Sequence, residues 1–261
     1  MKKSFFLTNN YHSMVKAIDA LVNREPSMPG MGLIVGKWGI GKSEAIDYYY
    51  GESSVYYVRA WALMKPRDLL EDICDEYRVI PEYRVKALFK QVCKFLKQRR
   101  SPLIIDEADY LFKKSINLDV IRDLYDFTKV PIILVGMEQF YEKLEKYGQF
   151  WSRILPAGIV EFKPLSPPEM ILITEQWTGL KIQPDSAKSV CHYTGGDFRI
   201  IMGYLNAFEK ACKVGDNTRE ISQGMVEAVK RRMEKRRNNL EGQRRKMEVE
   251  LYTGRKKLAQ G

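Results

Sequence analysis

The sequence is poor in histidine and cysteine and has no long apolar run. His12 and His192 are its only histidines. Neither has neighbours at ligand spacing, so neither is given a metal or acid–base role. The four cysteines, Cys74, Cys93, Cys191 and Cys212, stand far apart with no C-x-x-C pair. That argues against a metal site and against a disulfide framework, and for reduced buried thiols in a cytosolic compartment. No apolar stretch approaches the ~20 residues of a membrane helix. The opening Met1–Leu7 breaks at Thr8-Asn9-Asn10, too short for a signal peptide. A cytoplasmic chain without a membrane partner is therefore expected. Acid is also in deficit, with 33 Asp/Glu against 43 Lys/Arg and a net charge of +10, which points to a polyanionic partner. Much of that excess lies in residues 227–261, where twelve Lys/Arg face five Asp/Glu. With 261 residues and 45% apolar content, there is material for one large α/β domain and a small satellite.

What is present begins with Gly36-Lys37-Trp38-Gly39-Ile40-Gly41-Lys42-Ser43, which follows the apolar run Gly32-Leu33-Ile34-Val35 and leads into a helix near Glu44. This is G-x-x-x-x-G-K-S in strand–loop–helix context, the phosphate-binding loop. Glycines let successive backbone N–H groups turn inward around phosphate oxygens, and the helix N-terminus adds its positive dipole end. Lys42 is expected to reach the β- and γ-phosphates, and the Ser43 hydroxyl to take one Mg²⁺ position. Gly36–Ser43 and Glu44 are thus read as the nucleotide-binding stretch.

A second signal is Leu103-Ile104-Ile105-Asp106-Glu107. A continuous apolar run ending in two acids reads as a buried parallel strand that delivers carboxylates to its C-terminal end. Asp106 is placed to help hold Mg²⁺, and Glu107 to orient and deprotonate an attacking water. Further strands are expected at Ser54–Arg59, Pro131–Gly136 and Gly158–Phe162, alternating with helical patterns. That alternation implies a five-stranded parallel sheet sandwiched between helices. After the Pro164-Leu165-Ser166-Pro167-Pro168 linker the pattern is helical throughout, with helices expected at 169–178, 184–193, 198–213 and 221–235. The boundaries drawn are an α/β domain over 1–163, an all-α domain over 164–230 and a basic tail over 231–261. Two look-alikes are set aside. Asp106-Glu107-Ala108-Asp109 spells a helicase motif, but such helicases need two α/β domains. Val130–Gly136 resembles the strand before the guanine-reading N-K-x-D, yet Met137, Glu138, Gln139 and Phe140 follow it. ATP is the expected nucleotide.

With the phosphate loop at 36–43, Asp-Glu at 106–107 and an α/β core followed by a helical lid, the chain resembles the AAA+ ATPases over about residues 5–230. Phe150-Trp151-Ser152-Arg153-Ile154 before the last strand and Gly195-Gly196-Asp197-Phe198-Arg199 leading a lid helix make it similar to the MuB/TnsC-type transposition regulators, and more distantly to ExeA-like and IstB-like ATPases. The resemblance implies that Arg153 is an arginine finger reaching a neighbouring subunit's γ-phosphate and that Arg199 is the lid's sensor arginine. It also implies ATP-dependent homo-oligomers, filaments or rings, on double-stranded DNA, and a DDE transposase as partner. DNA would then be gripped through its phosphates, with Lys65 and Arg67 after the second strand and Lys113 and Lys114 after the acid pair as candidate contacts. One departure concerns the fourth strand, which in the family usually ends in a polar sensor but here runs into Met137; slow hydrolysis suited to a switch follows. Two other readings stay open: an ExeA-like ATPase acting on protein partners, and an IstB/DnaC-like helicase loader.

Overall fold

The computed structural model describes residues 5–113, 115–214, 219–235, 238–239 and 241. Two compact units divide these residues, one over Phe5–Pro164 and the other from Leu165 onward.

The first unit is built on five parallel strands: β1 (Met31–Val35), β2 (Tyr56–Arg59), β3 (Leu103–Asp106), β4 (Ile132–Gly136) and β5 (Ile154–Glu161), side by side in the order β2-β3-β4-β1-β5. Every residue of β1, β3 and β4 is buried, and alternation along them decides which layer each side chain joins. Met31, Leu33, Val35, Leu103, Ile105, Ile132 and Leu134 pack on one face. Ile34, Ile104, Ile133 and Val135 pack on the other. Helices α3 (Pro66–Glu76), α4 (Val85–Arg99) and α5 (Ser115–Thr128) supply Leu69, Ile73, Leu88, Leu96, Ile121 and Leu124 to the first face. Helix α1 (Asn9–Val22) and helix α2 (Lys42–Glu52) supply Met14, Ile18, Leu21 and Ile46 to the second. Covering both faces is what makes these strands read as unbroken apolar runs. The expected α/β sandwich with its five-stranded parallel sheet is the observed fold.

Boundaries differ in detail. β5 begins at Ile154, four residues before the expected start at Gly158. Its pairing with β1 jumps from Met31↔Ile154 to Leu33↔Ile159. Pro156 lies in the extra stretch, where a missing N–H costs no ladder bond. This irregularity interrupts the alternation and hides the strand's first half. α6 (Glu138–Glu145) and the single turn α7 (Gly148–Trp151) fill the interval before β5.

The second unit holds α8 (Pro167–Thr178), α9 (Pro184–Thr194), α10 (Phe198–Val214) and a helix over 223–235. Ser166 and Glu169 cap α8 reciprocally, with Pro167 at its first position. Gly179 and Gly195 end α8 and α9 in the left-handed conformation. Among the described residues of this unit the only strands are β6 (Lys181–Ile182) and β7 (Glu220–Ile221), which form a two-residue parallel pair. Ile221 therefore sits in a bridge and not in the helix expected from residue 221. The basic tail beyond residue 241, with Arg236 and Arg237, lies outside the described residues.

Gly32 shows how tightly the second face is packed. A Cβ there would sit 2.9 Å from the Gly158 carbonyl oxygen and 2.5 Å from Leu21 Cδ1. Leu21 can swing away, but the β5 backbone can move only by straining the sheet. Gly32→Ala is predicted to destabilise the protein by about 1–3 kcal/mol through overpacking. Urea unfolding measures this, and an unchanged midpoint would contradict the packing described.

Candidate functional site

The C-terminal ends of β1 and β3 bring the two sequence signals together. After Val35 the chain turns through Gly36–Gly41 and enters α2 at Lys42. Gly39 and Gly41 have φ of +78° and +87°, a region that costs other residues roughly 1–2 kcal/mol. At Gly36 the constraint is contact: a Cβ would lie 2.5 Å from Ile40 Cδ1 and 2.9 Å from the Phe162 carbonyl oxygen. Ile40 is itself buried and pins the loop to the core, whereas Trp38 is 66% exposed at its tip. Glu44 lies in the first turn of α2. Lys42 Nζ donates to the Gly36 and Lys37 carbonyl oxygens at 2.6 and 2.8 Å, so its ammonium lies within the loop. Burial pushes this ammonium below the usual lysine range, against the pull of Asp106 and Asp109.

Ser43 Oγ donates to Asp106 Oδ2 at 2.8 Å, joining the loop to the end of β3. Asp106 is only 2% exposed and takes two further donors: the Tyr57 hydroxyl at 3.1 Å on Oδ2, and the Glu107 N–H at 2.8 Å on Oδ1. Burial, then the Asp106 charge, pushes the Tyr57 hydroxyl well above its ordinary range, so it stays a donor. Ser43 and Asp106 offer adjacent hard oxygens, the donor set of a Mg²⁺ ion held mainly by phosphate and water. Their separation fits such an ion.

Glu107 stands in left-handed backbone, φ +53°, a conformation that costs a non-glycine residue about 1–3 kcal/mol and clusters at functional sites. Its N–H bond to Asp106 helps hold it there. Its carboxylate leans on Arg59 at 3.2 Å, with both groups partly exposed. Arg59 comes from β2, where it pairs in register with Asp106. Asp109 joins the group from the 3₁₀ turn Ala108–Lys113: its Oδ2 accepts the Met137 N–H at 2.8 Å. The end of β4 thus meets an aspartate bound to its backbone at the place where the resemblance puts a polar sensor and this sequence has Met137. Burial raises the Asp109 carboxyl above its usual range, partly offset by the Met137 N–H.

Arg153, Lys65 and Arg67 take no part in these hydrogen bonds. Arg153 immediately precedes β5, and its carbonyl oxygen accepts the Met31 N–H at 2.9 Å. It therefore lies at the N-terminal edge of the sheet, one strand length, roughly 16 Å, from the loop that leaves Val35. Its guanidinium grips Asp126 through Nε at 2.9 and 3.0 Å and through a third hydrogen bond from its terminal nitrogen, and donates to the Gln149 carbonyl oxygen. Those bonds hold the Asp126 carboxyl below the usual carboxylate range. The pair faces a cleft of about 380 Å³ lined also by Pro26, Met28, Tyr125 and Lys129. Arg199 is exposed in the first turn of α10 in the second unit, its N–H donating to Asp197 Oδ1 at 2.7 Å. Lys65 is exposed at the start of α3. Arg67 is held by Glu71 at 2.7 Å and by the Tyr83 carbonyl oxygen. Lys114 and the side chain of Lys113 lie outside the described residues.

Sequence reading did not single out Tyr57, Arg59, Asp109 or Asp126. Tyr57 and Arg59 stand two apart on β2 and share a face, and only the β2–β3 pairing brings them to the acids.

Comparison with known proteins agrees with this geometry. Residues 24–144 match the family model described as AAA domain. A Staphylococcus aureus protein described as "Potential ATP-binding protein" is 33% identical over 108 residues, 38% of each chain. Among solved structures, the Cdc6p of Pyrobaculum aerophilum is similar with a TM-score of 0.59 at 14% identity, over 84% of this chain and 66% of that one. The Thermotoga maritima RuvB branch migration motor gives 0.54 at 16%, over 85% and 67%. The Aeropyrum pernix ORC1 protein, solved in complex with DNA, gives 0.53 at 17%, over 86% and 64%. At such identities the structures speak to fold alone. Residues 24–144 are thus similar to an AAA domain, and the first unit has the α/β P-loop fold that these solved structures share.

The hydrogen bonds converging on Asp106 make a direct prediction. Tyr57→Phe removes one donor from a buried carboxylate and should cost about 1.5–3 kcal/mol of stability. Urea unfolding monitored by circular dichroism reads the change. A variant as stable as the wild type would show that Tyr57 does not support Asp106.

Proposed function

We propose that this protein is an ATP-hydrolysing switch that oligomerises on double-stranded DNA without sequence preference and selects target sites for a DDE transposase. The observation that carries the ATPase part is the convergence of Lys42, Ser43, Asp106 and Glu107 at one end of β1 and β3. In this reading the backbone N–H groups of 36–43 and the Lys42 ammonium cradle the phosphates of ATP. Ser43 and Asp106 would hold Mg²⁺, which would supply neutralisation of phosphate charge. Glu107 orients a water and takes its proton. While Glu107 rests on Arg59 its carboxylate is turned to a cation, which fits slow basal turnover.

The self-association proposed here centres on Arg153. Its place at the opposite end of the sheet from its own phosphate loop supports action on a second copy's nucleotide. The open cleft around the Asp126–Arg153 pair supports that approach. Arg199 keeps the sensor role implied by the resemblance, through which loss of the γ-phosphate would favour disassembly. Exposed Lys65 and the partly engaged Arg67, with Lys113 and Lys114, are proposed as phosphate contacts on DNA. The transposase assignment rests on the likeness of Phe150–Ile154 and Gly195–Arg199 to the MuB/TnsC-type regulators and on the net charge of +10. An IstB/DnaC-like loader would share the ATP chemistry but favour single strands through aromatic platforms.

Two results are expected. Lys42→Ala should lose binding of a fluorescent ATP analogue; retained wild-type affinity would remove the phosphate-loop assignment. Glu107→Gln and Arg153→Ala should each lose turnover, the latter by about 10³-fold or more, while both still bind ATP. Mixed together, the two inactive variants should regain turnover, because one supplies the base and the other the arginine. A mixture as inactive as its components would contradict action of Arg153 across subunits.

A further inference from the structure

Outside the nucleotide site, the strongest unexplained feature is the outer face of α4. Its fifteen residues contain Lys86, Lys90, Lys94, Lys97 and Arg99 and no Asp or Glu. At 100° per residue the four lysines fall within about 80° of the helix circumference, and all four are exposed. They span about 16 Å along the axis. None has an ion-pair partner among the described residues. The opposite face of the helix is in the core through Leu88, Val92, Cys93 and Leu96.

The nearby acids do not answer this charge. On α3, Asp68 caps the Lys65 N–H, Glu71 pairs with Arg67, and Glu76 accepts the Tyr57 N–H. Asp72 is hydrogen-bonded by Trp61. On α5, Asp119 and Asp123 are taken by Arg122, and Asp126 by Arg153. A second copy of α3 or α5 would therefore bring few free carboxylates, Asp75 among them. A lipid surface fits poorly because the apolar side of α4 is already buried and cannot insert. Single-stranded nucleic acid needs rings to stack on, and Phe89 and Phe95 are engaged by Phe127 and Tyr77.

We propose that Lys86, Lys90, Lys94 and Lys97 form a second, sequence-independent contact surface for the phosphate backbone of duplex nucleic acid. The stripe is long enough to lie beside about five phosphates of one strand, at ~3.4 Å of axial rise each. This deepens the DNA-binding reading and rests on it. It adds a contact on a helix of the first unit to those proposed at Lys65 and Lys113.

The test is fluorescence anisotropy of a labelled duplex titrated with full-length protein and a slowly hydrolysed ATP analogue, over a series of salt concentrations. Each phosphate contact adds about 0.9 to the slope of log affinity against log salt. Combining Lys86→Gln, Lys90→Gln, Lys94→Gln and Lys97→Gln should lower that slope by about 3–4 while analogue binding stays unchanged. The corresponding fourfold Lys→Arg variant should keep the wild-type slope. If the fourfold Gln variant misfolds, the pairs 86/90 and 94/97 are neutralised separately, each expected to lower the slope by about 2. Gln variants with the wild-type slope would overturn the stripe and leave the DNA-binding reading standing. Wild-type protein that ignores duplex altogether would overturn both. Gln variants that lose retention on immobilised polyglutamate but keep duplex affinity would overturn the proposal in favour of an acidic protein partner.

Discussion

The hydrogen bond from Ser43 to Asp106 is the interaction on which the rest of the nucleotide site depends. It ties a loop to a strand 63 residues further along the chain. In doing so it fixes the start of α2 against the end of β3, the two elements that a metal-bound triphosphate would have to bridge. Asp106 is buried, so leaving its charge unsatisfied would be costly. The Ser43 hydroxyl, Tyr57 hydroxyl and Glu107 N–H satisfy it together, and each of those donors brings a functional element into place. Ser43 carries the phosphate loop, Tyr57 carries β2 and with it Arg59, and the Glu107 amide carries the candidate base.

This arrangement also accounts for local strain. Glu107 holds a left-handed backbone conformation that glycine would adopt more readily, and Gly39 and Gly41 already use that freedom in the facing loop. The strain is compatible with the fold because β3 is pinned on both sides, by β2 and by β4. Its effect is to direct the Glu107 side chain away from the strand and toward Arg59. Asp109 then fastens the next turn to the Met137 amide at the end of β4. The three acids thus have separate attachments: Asp106 to the loop, Glu107 to Arg59, Asp109 to backbone.

The phosphate loop was legible in the sequence because its letters encode backbone geometry directly: glycines where φ is positive or a Cβ would collide, then lysine and serine at the helix start. Asp106 and Glu107 were legible because an apolar run buried on both faces must end at the ligand edge of a parallel sheet. Tyr57 and Arg59 were not, since nothing local says that β2 lies next to β3. Asp126 was hidden for the same reason, its partner Arg153 standing 27 residues away on another element. The first half of β5 was obscured by a register shift around Pro156. The α4 stripe was visible as lysines in the sequence, but only the packing of α3 and α5 shows that their acids are committed elsewhere.

We propose that ATP at this site controls assembly on duplex DNA. Negative-stain electron microscopy of the protein with duplex tests it most directly, comparing a slowly hydrolysed ATP analogue with ADP. Ordered protein assemblies along the DNA are expected with the analogue, and bare DNA with ADP. Equal coating in both states, or single particles off the DNA in both, would contradict it.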